Sequence, residues 1–524
     1  MSRRYSSAAL QAWIMSPCWS LPLPSAWNAA SSTTVGATTG ATAALRSKVR
    51  SLSTSSTAST TSTTARTHSQ RGKRAVSLLP TYLADARAVT RYSPNTPHGA
   101  LQLGVAENQM LEDLLVPALN QFASNSFTAD CIYYQPTQAR PALREAFCNY
   151  LERLLGLSQK LDPDSLVMGT GCNAVLENLC ITLAEPGEGV LVPTPYYAAF
   201  EFDLAARAGL SILPVPTMAH SGEVIPPLDS GKSIPVEAYY PTKASLTAAY
   251  LAACQQGESP RILLLSHPNN PLGICYPPRV IQECIEWCRE NQIHLVSDEI
   301  YAGSVYKSDD ADFISALEIA GVGKLGPYVH FVYALSKDFA LSGLRIGAVY
   351  SENEDILLPL QKLNDLCQIT SQTQVLVENM VKAAGKKHAF WTTEFLDENH
   401  VRLRSRCDAL QELLNEFQIP HISANSGLFC WIDMSRYLPP SDSPEGDEFD
   451  MVDLDEYSSI QEKRELVLYR ELMHDYGLLF TPGCSMRMER PGFFRCVFTA
   501  ASDEEFGLAL QRLRKFFVQK KINR

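Results

Sequence analysis

The stretch RILLLSHPNNPLGICYPPRVIQECIEWCRENQIHLVSDE, residues 261–299, contains one complete unit of a parallel β-sheet protein. It begins with an apolar run at 261–265, continues with a helical pattern at 278–291 and ends with a second apolar run at 293–297. Two short apolar runs joined by a helical segment predict a β-α-β unit, whose strands are parallel and buried on both faces of the sheet.

Similar apolar runs occur on both sides of this unit. They are SLVMG at 165–169, GVLVPT at 189–194 and VHFVYA at 329–334, and helical patterns such as NAVLENLCITLAEPG at 173–187 separate them. This alternation predicts an α/β fold with one mostly parallel sheet covered by helices. Ligands of such sheets bind beyond the carboxyl ends of the strands, so the residues that follow the runs are the candidates for function.

The chain divides into four predicted regions. Residues 1–84 contain no Asp or Glu and are basic and rich in Ser and Thr, so we predict a disordered extension, with an organellar targeting segment as the alternative. A segment at 85–115 is expected to pack with the smaller of two domains. The large domain is expected at 116–350 and the smaller one at 351–524, where an acidic loop insertion occupies 437–460.

Composition excludes several classes of protein. The 524 residues carry a formal net charge of −11, whereas a nucleic-acid-binding protein needs a basic surface. No apolar run approaches the roughly 20 residues that span a bilayer. The 14 cysteines are scattered, as in reduced intracellular proteins. Cys284 and Cys288 lie one helical turn apart, but no second pair of possible ligands follows, so we predict that they share one face of a helix and do not bind a metal. We expect a cytoplasmic protein, with a mitochondrial location as the alternative.

Chemically capable side chains follow three of the predicted strands. Asn270 lies in the turn SHPNNPLG, Asp298 and Tyr301 lie in VSDEIYAG, and Lys337 lies in YALSKD. A lysine amine can form a Schiff base with an aldehyde, and a carboxylate can keep a pyridine nitrogen protonated. An amide and a phenol can hydrogen-bond a ring hydroxyl group. Together these residue types indicate pyridoxal 5′-phosphate as the cofactor.

Other residues near the strand ends suit the phosphate and the ring of that cofactor. The Gly-rich turn in GTGCNAVLEN opens a helix, so the backbone N–H groups of Cys172 and Asn173 can bind an anion. Ser336 and Arg345 can neutralise a phosphate. Tyr197 in PTPYYAAF, or else the tyrosine before it, offers a flat face for stacking.

Eight ordered motifs between about 90 and 520 carry a family resemblance: LQLGVAENQM, LVMGTGCNAVLENL, GVLVPTPYYAAFEFDL, NNPLG, SDEIYAGSVY, LSKDFALSGLRIG, NSGLFCWIDM and PGFFRCVF. With them the chain resembles the fold-type I enzymes of the class I and II aminotransferase family, most closely the branch of 1-aminocyclopropane-1-carboxylate (ACC) synthases. The resemblance implies a seven-stranded sheet sandwiched by helices, a smaller α+β domain, a small amino-acid substrate and a homodimer with shared active sites.

The resemblance also implies a role for each residue that matches a motif. For the cofactor, Lys337 would attach it and transfer protons, Asp298 would pair with its pyridine nitrogen, Asn270 and Tyr301 would contact its ring hydroxyl, Tyr197 would stack on its ring, and Ser336 and Arg345 would bind its phosphate. For the substrate, Arg495 would bind the carboxylate, and Glu107 matches the characteristic glutamate of the branch. Tyr134, or else the tyrosine before it, would contribute to the neighbouring subunit's site.

Four positions depart from the pattern of the family. Ala334 stands where a phosphate-binding Ser is frequent, Asn173 where Thr or Ser is common, and His267 where ACC synthases begin their Asn-Pro motif. The segment YYQPTQARP, which contains Tyr134, lacks the glycine of the family's Tyr-Gly-Leu-Pro. These departures leave cofactor binding intact and count against strict ACC synthesis.

Several functions are compatible with these residues. Transamination of an α-amino acid is the expected reaction, because it needs only the lysine and the carboxylate-binding arginine. Carbon–sulfur lyase or other elimination chemistry of secondary metabolism is one alternative, and ACC synthesis from S-adenosylmethionine is another. A non-catalytic binding protein is the remote alternative, since the whole set of site residues is present.

Overall fold

The computed structural model describes most of the chain from residue 69 onward. The described residues are 69–78, 82–124, 126–228, 230–307, 313–440 and 460–522, and they form one compact unit. Most of the extension predicted at 1–84, and most of the acidic insertion predicted at 437–460, lie outside them.

Twelve strands form three sheets among the described residues. In chain order they are β1 (Leu101–Gln102), β2 (Leu166–Thr170), β3 (Gly189–Pro193), β4 (Ser211–Val215), β5 (Pro260–Ser266), β6 (His294–Asp298), β7 (Val329–Ala334), β8 (Ile346–Ser351), β9 (Phe429–Asp433), β10 (Leu478–Leu479), β11 (Thr481–Pro482) and β12 (Phe493–Val497). The largest sheet has seven strands in the order β2-β8-β7-β6-β5-β3-β4, and only the two pairs made by β8 are antiparallel. The prediction of a mostly parallel seven-stranded sheet is confirmed.

Fifteen α-helices accompany these strands in the described part of the chain. They are α1 (Gln70–Ser77), α2 (Tyr82–Ala88), α3 (Glu112–Ala123), α4 (Pro141–Leu155), α5 (Cys172–Leu183), α6 (Phe200–Ala205), α7 (Lys243–Gln255), α8 (Pro278–Asn291), α9 (Ala316–Ala320), α10 (Leu335–Asp338), α11 (Glu354–Leu363), α12 (Ser371–Lys382), α13 (Trp391–Glu416), α14 (Ile460–His474) and α15 (Asp503–Ile522). On the large sheet, α5 contacts β2 and β8, α7 contacts β4, and α8 contacts β6.

The β5-α8-β6 unit shows how local sequence sets these elements. Both strands are buried along almost their whole length, as expected of central parallel strands. Pro278 opens α8 with a φ angle suited to the first turn, and Gln292 ends the helix with φ 56°. Cys284 and Cys288 are fully buried on α8 within the hydrophobic core, where they pack as apolar side chains.

Both smaller sheets include strands from the C-terminal part of the chain. One has the order β11-β12-β9 and is antiparallel throughout. In the other, β1 pairs in parallel with β10, so that Leu101 lies beside Leu478. The segment that precedes α3 is therefore fixed to residues near the C-terminus.

Part of the region predicted to be disordered is helical. α1 lies entirely before residue 84, and the Ser69 Oγ caps it by accepting a hydrogen bond from the N–H of Gly72 at 3.0 Å. α2 begins at Tyr82, and its Asp85 carboxylate lies 3.2 Å from Arg470 Nε. Residues 70–77 and 82–84 of the predicted extension are thus helical, and its limit at residue 84 stays a prediction.

The domain limits and the cellular location stay predictions. No described helix combines the length and the apolar character that crossing a membrane requires. The boundaries expected at residues 116 and 351 fall inside the single compact unit.

Candidate active site

The topology of the large sheet gathers the predicted site residues at one edge. β5, β6 and β7 are parallel, so their carboxyl ends lie side by side and lead to Asn270, Asp298 and Lys337. Because β8 is antiparallel to β7, its first residues lie at the same edge, directly after Arg345. The end of β2, which leads to Cys172, pairs with the start of β8 there.

A cavity of about 310 Å³ opens at this edge. Eleven of the twelve predicted site residues line it, namely Glu107, Cys172, Asn173, Tyr197, Asn270, Asp298, Tyr301, Ser336, Lys337, Arg345 and Arg495. Residues far apart in the sequence thus converge on one space of small-molecule size.

Lys337 projects from α10 into this cavity. Its Nζ donates a hydrogen bond to the carbonyl oxygen of Ala106 at 2.6 Å. Burial lowers the pKa of Lys337 to about 8, and the positive charge of Arg495 acts in the same direction, whereas the carboxylate of Glu107 opposes it. The amine therefore becomes neutral, and so nucleophilic, at mildly alkaline pH.

Asp298 provides a buried carboxyl group that forms no salt bridge with any described residue. Its Oδ1 accepts a hydrogen bond from the N–H of Ile300 at 3.3 Å, and the Cys172 Sγ lies 3.8 Å from the same oxygen. Burial raises the pKa of Asp298 to about 7. A cationic group brought to this carboxyl group would favour its ionised form.

Arg345 and the start of α5 form a candidate anion site. Arg345 has φ 54°, and its Nη1 donates a hydrogen bond to the carbonyl oxygen of Ser342 at 2.9 Å. Gly171 has φ 88°, and a Cβ atom there would lie 2.4 Å from Arg345 Nη2. Only glycine therefore lets the guanidinium group approach the first N–H groups of α5, at Cys172 and Asn173.

The side chain of Asn173 is engaged within the cavity. Its Nδ2 donates a hydrogen bond to Asp203 Oδ2 at 2.6 Å, and Asp203 itself lines the cavity. Burial raises the pKa of Asp203 to about 6, and the hydrogen bond from Asn173 opposes that shift. Asn173 can thus offer the anion site its backbone N–H, while its amide group is paired with a carboxylate.

Arg495 projects from β12 and is buried. Its Nη1 donates a hydrogen bond to Asn270 Oδ1 at 2.8 Å, and its Nη2 donates one to the carbonyl oxygen of Gly104 at 2.6 Å. The Arg495 Nε is buried without a hydrogen-bond partner among the described residues. A guanidinium group with one unpaired N–H and a replaceable carbonyl partner is suited to a carboxylate.

The two tyrosines that are predicted to contact the cofactor ring both line the cavity. Tyr301 is buried, with its ring edge-on to Phe429 at 5.3 Å, and Tyr197 lies edge-on to Phe200 at 5.4 Å. Burial raises the pKa of both phenols, so both stay neutral hydrogen-bond donors at physiological pH. Tyr197 lines the cavity and Tyr196 does not, which favours Tyr197 as the stacking residue.

Glu107 and Ser336 complete the set on the cavity wall. Glu107 is exposed and lines the cavity, and its negative charge partly opposes the lowering of the Lys337 pKa. Ser336 is buried beside Lys337, and its carbonyl oxygen accepts a hydrogen bond from Ser342 Oγ at 3.0 Å.

Tyr134 is the one predicted residue that lies outside the cavity. Its side chain is 99% exposed, and that of Tyr133 is 67% exposed. The carbonyl oxygen of Tyr133 accepts a hydrogen bond from Ser371 Oγ at 3.2 Å, which fixes the backbone here while both rings project outward. The chain does not place either tyrosine in its own site.

The cavity also contains residues that were not predicted from the sequence. Among them are Tyr82, Leu83, Phe202, Asp203 and Met486. The first two lie in α2, within the region predicted to be disordered. Phe202 and Asp203 lie in α6, one turn after the motif that carries Tyr197, so a helix prediction there could have found them.

Two departures from the family pattern have structural explanations. His267 is fully buried between the rings of Phe313, at 4.8 Å, and Tyr276, at 6.1 Å. Burial lowers the pKa of His267 to about 4, so it is a neutral core ring. Ala334 is fully buried at the end of β7 and does not line the cavity.

The residues of this cavity fit pyridoxal 5′-phosphate. Because residue 171 is a glycine, the guanidinium group of Arg345 can lie close to the start of α5, and an anion such as a phosphate could contact both. Asp298 is a buried acid without an ion-pair partner among the described residues, and a protonated ring nitrogen would supply one. Lys337 supplies an amine of lowered pKa for the aldehyde.

Comparison with known families and proteins identifies relatives that cover most of the chain. The aminotransferase class I and II family matches residues 101–513. ACC synthase 1 of Oryza sativa subsp. indica is 31% identical over 437 residues, which cover 80% of this chain and 82% of the relative. ACC synthase 5 of Arabidopsis thaliana is 32% identical over 433 residues, which cover 80% of this chain and 83% of the relative.

Solved structures of aspartate aminotransferases share the fold. The enzyme from Thermus thermophilus with maleate has a TM-score of 0.64 at 20% identity, over 86% of this chain and 99% of the other. The enzyme from Thermotoga maritima has a TM-score of 0.63 at 17% identity over the same shares. At these identities the likeness concerns the fold alone.

Proposed function

The chain belongs to the class I and II aminotransferase family and is a pyridoxal 5′-phosphate enzyme, and from this premise we propose that it transfers the amino group of an α-amino acid to a 2-oxo acid. One observation carries the proposal. The amine of Lys337, the carboxyl group of Asp298 and the guanidinium group of Arg495 line the same cavity. Amino transfer needs these three groups: a proton carrier, an acid beside the ring and a carboxylate clamp.

The cofactor would be held at both ends. When bound, pyridoxal 5′-phosphate supplies an aldehyde that reacts with amines and a ring that withdraws electrons from the substrate's Cα. Arg345, Ser336 and the first N–H groups of α5 would hold its phosphate. Asn270 and Tyr301 are suited to its ring hydroxyl, and Tyr197 to its face.

Asp298 holds a proton on the ring nitrogen. Its carboxyl group has no ion-pair partner among the described residues, so the ring N–H can become its main hydrogen-bond donor. A carboxylate fixed at this nitrogen keeps it cationic and stabilises negative charge that develops at Cα.

Lys337 moves the proton at Cα. In its neutral form the Nζ can remove this proton and then return it at another carbon, as general base and then general acid. Burial helps because it lowers the pKa of Lys337 to about 8, close to the pH at which both roles are needed.

Arg495 binds the substrate's α-carboxylate in this proposal. The carboxylate would replace the carbonyl oxygen of Gly104 as the partner of Nη2 and would satisfy the unpaired Nε. Asn270 keeps Nη1 in place through its 2.8 Å hydrogen bond. A clamp of two N–H groups fixes the orientation of the substrate and therefore of Cα.

A homodimer with shared sites is part of the proposal. Tyr134 is 99% exposed and lies outside the cavity of its own chain, so it is free to reach a second chain. A closed two-fold dimer would bring each Tyr134 to the neighbouring subunit.

ACC synthesis is the second candidate, favoured by two observations. Glu107 lies close enough to Lys337 to raise the pKa of the amine, and ACC synthases of rice and Arabidopsis are 31% and 32% identical to this chain. This reaction needs S-adenosylmethionine as substrate and internal displacement at its Cγ. The segment after Tyr134 counts against it, because it lacks the Gly-Leu-Pro of the family.

Product analysis decides between these reactions. The holoenzyme is incubated with single amino acids, with and without 2-oxo acids, and with S-adenosylmethionine. Transamination predicts a new amino acid only when a 2-oxo acid is present. Efficient release of ACC, abolished by Glu107→Gln, would replace the proposal with the second candidate, and ammonia with a keto acid but no acceptor would indicate a lyase. Lys337→Ala is the inactive control in every case.

A further inference from the structure

The helix that presents Lys337 is too short to hold its own position. α10 consists of the four residues Leu335–Asp338, and isolated helices of this length do not persist in water. The lysine side chain adds several rotatable bonds of its own. Contacts with other parts of the protein must therefore fix where the amine of Lys337 lies.

The carboxyl group of Asp338, the last residue of α10, anchors this helix to the turn after Tyr301. Its Oδ2 accepts hydrogen bonds from the N–H of Gly303 at 2.7 Å and from the hydroxyl of Tyr333 at 2.8 Å. Its Oδ1 accepts a hydrogen bond from Ser304 Oγ at 2.5 Å. Asp338 is fully buried, so moving its carboxyl group would leave several polar groups unpaired, which is costly.

Gly303 leaves the space that this carboxyl group occupies. A Cβ atom at residue 303 would lie 2.7 Å from Asp338 Oδ2, so a larger residue would displace the carboxyl group. Burial raises the pKa of Asp338 to about 7, and the hydrogen bonds from Ser304, Tyr333 and Gly303 oppose that shift. The proposed reaction gives this second buried acid beside Lys337 no chemical role.

A second set of hydrogen bonds connects α10 to the segment before α3. Asn399, on α13, donates from its Nδ2 to the carbonyl oxygen of Asp338 at 3.2 Å, and its Oδ1 accepts from Asn108 Nδ2 at 3.0 Å. Asn108 and Asn399 are both buried. Lys337 in turn donates to the carbonyl oxygen of Ala106, two residues before Asn108. These bonds form a closed loop, so Asn399 helps to set the distance between the amine and this segment.

We propose that Asp338 and Asn399 are positioning residues for Lys337, because together they hold α10 between the turn after Tyr301 and the segment that contains Ala106. The inference rests on the proposed function, in which the amine of Lys337 moves the proton at Cα. Neither Asp338 nor Asn399 lines the cavity, so each acts through Lys337. Displacement of a reacting group by about 1 Å can cost on the order of a hundredfold in rate.

Hydrogen exchange measured by mass spectrometry tests whether these bonds hold α10. Asn399→Leu keeps the branched outline of the side chain and removes both hydrogen bonds. Gln411→Leu is the control, since Gln411 is another buried amide on α13 and does not line the cavity. In the holoenzyme without substrate, we expect the backbone N–H groups of residues 335–341 to exchange about tenfold faster in Asn399→Leu alone. Unchanged protection in this variant would overturn the proposal.

Two substitutions of Asp338 separate its position from its charge. The amide oxygen in Asp338→Asn can accept from Gly303 and Tyr333 while the amide nitrogen donates to Ser304 Oγ, whereas Asp338→Leu can do neither. We expect kcat to stay within about threefold in Asp338→Asn and to fall about tenfold or more in Asp338→Leu, with KM changed less than about threefold in both. An equal loss of kcat in both variants would show that the charge of Asp338 matters, and would overturn the positioning role.

Asn399→Leu carries the kinetic test if Asp338→Leu does not fold. Its kcat should also fall about tenfold or more at nearly unchanged KM and cofactor content, while Gln411→Leu keeps both constants. An unaltered kcat in a folded, loaded Asn399→Leu enzyme would overturn the proposal. If the unaltered holoenzyme transferred no amino group, the proposed function would fail, whereas faster exchange of residues 335–341 in Asn399→Leu would still support the hold on α10.

Discussion

At the scale of single residues, burial sets the chemistry of the site more than neighbouring charges do. Burial is the largest cause of both shifts, lowering the pKa of Lys337 to about 8 and raising that of Asp298 to about 7. Both groups are therefore biased toward their neutral forms and can change charge near physiological pH. A protonated pyridine nitrogen would lower the pKa of Asp298 again, so the bound cofactor would favour the ionised form of this carboxyl group.

The lowered pKa of Lys337 predicts how cofactor loading depends on pH. Only the neutral amine attacks an aldehyde, so the rate at which the cofactor-free protein takes up pyridoxal 5′-phosphate should rise with pH and level off above about 8, instead of near the ordinary lysine value. Stopped-flow absorbance across the pH range measures this rate. In Arg495→Gln the midpoint should move to higher pH, because a nearby positive charge has been removed. A midpoint near 10 in the unaltered protein would contradict the lowered pKa.

Replacement of Asp298 should separate binding from turnover. Asp298→Asn keeps the shape of the side chain but cannot hold a positive charge on the ring nitrogen, so we expect bound cofactor with turnover reduced by a hundredfold or more. Glu299→Gln is a matched control, since Glu299 is the adjacent buried acid and does not line the cavity. Steady-state rates and cofactor content are measured for both. Similar turnover in the two variants would mean that Asp298 has only a structural role.

At the scale of elements, one antiparallel strand completes the site. If β8 ran parallel to β7, its first residue would lie at the opposite edge of the sheet and Arg345 would be far from Lys337. Its reversed direction instead pairs Ala334 with Gly347 and brings Arg345 to the start of α5. Gly171 then allows close approach, since any side chain there would meet the guanidinium group.

Two glycine substitutions test this approach. Gly171→Ala and Gly187→Ala both place alanine at a positive φ, 88° and 93° respectively, and each should cost about 1 kcal/mol of the free energy of unfolding. Only at Gly171 would the new Cβ meet Arg345, whereas nothing lies within 4 Å at Gly187. We therefore expect the dissociation constant for pyridoxal 5′-phosphate to rise at least tenfold in Gly171→Ala alone. Urea unfolding and fluorescence titration measure the two quantities, and equal cofactor affinity in both variants would argue against the anion site.

Elements of the large sheet could be predicted because their physical signals are local. The apolar runs at β5, β6 and β7 mark buried strands, and strand direction alone places Asp298 and Lys337 at one edge. Other parts of the site carry no such signal. The helix that contributes Tyr82 has only 7 residues, and Met486 ends a short 3-10 helix directly after β11, so neither residue belongs to a long periodic element. Residues placed by long-range packing were therefore missed.

At the scale of the whole molecule, one stretch of the surface is unusually apolar. Phe127, Ile132, Tyr133 and Tyr134 are 80%, 77%, 67% and 99% exposed within eight residues. A salt bridge between Arg140 and Asp130 and the hydrogen bond from Ser371 hold their backbone, so their exposure is built into the fold. A fixed apolar projection of this kind is typical of surfaces that contact another protein, and a second copy of this chain is the partner expected from the family.

Mixing two inactive variants tests whether the sites are shared. Lys337→Ala removes the amine and Tyr134→Ala removes the projecting tyrosine, so each homodimer should be nearly inactive. In a hybrid dimer one site combines an intact Lys337 with an intact Tyr134 from the other subunit. Random reassortment should then restore about a quarter of the unaltered activity, because half of the dimers are hybrids with one complete site each. Tyr133→Ala is the control, expected to stay active alone. Hybrid dimers identified by mass that remain inactive would show that each site is built from a single chain, and Tyr134 would then act only in holding the subunits together.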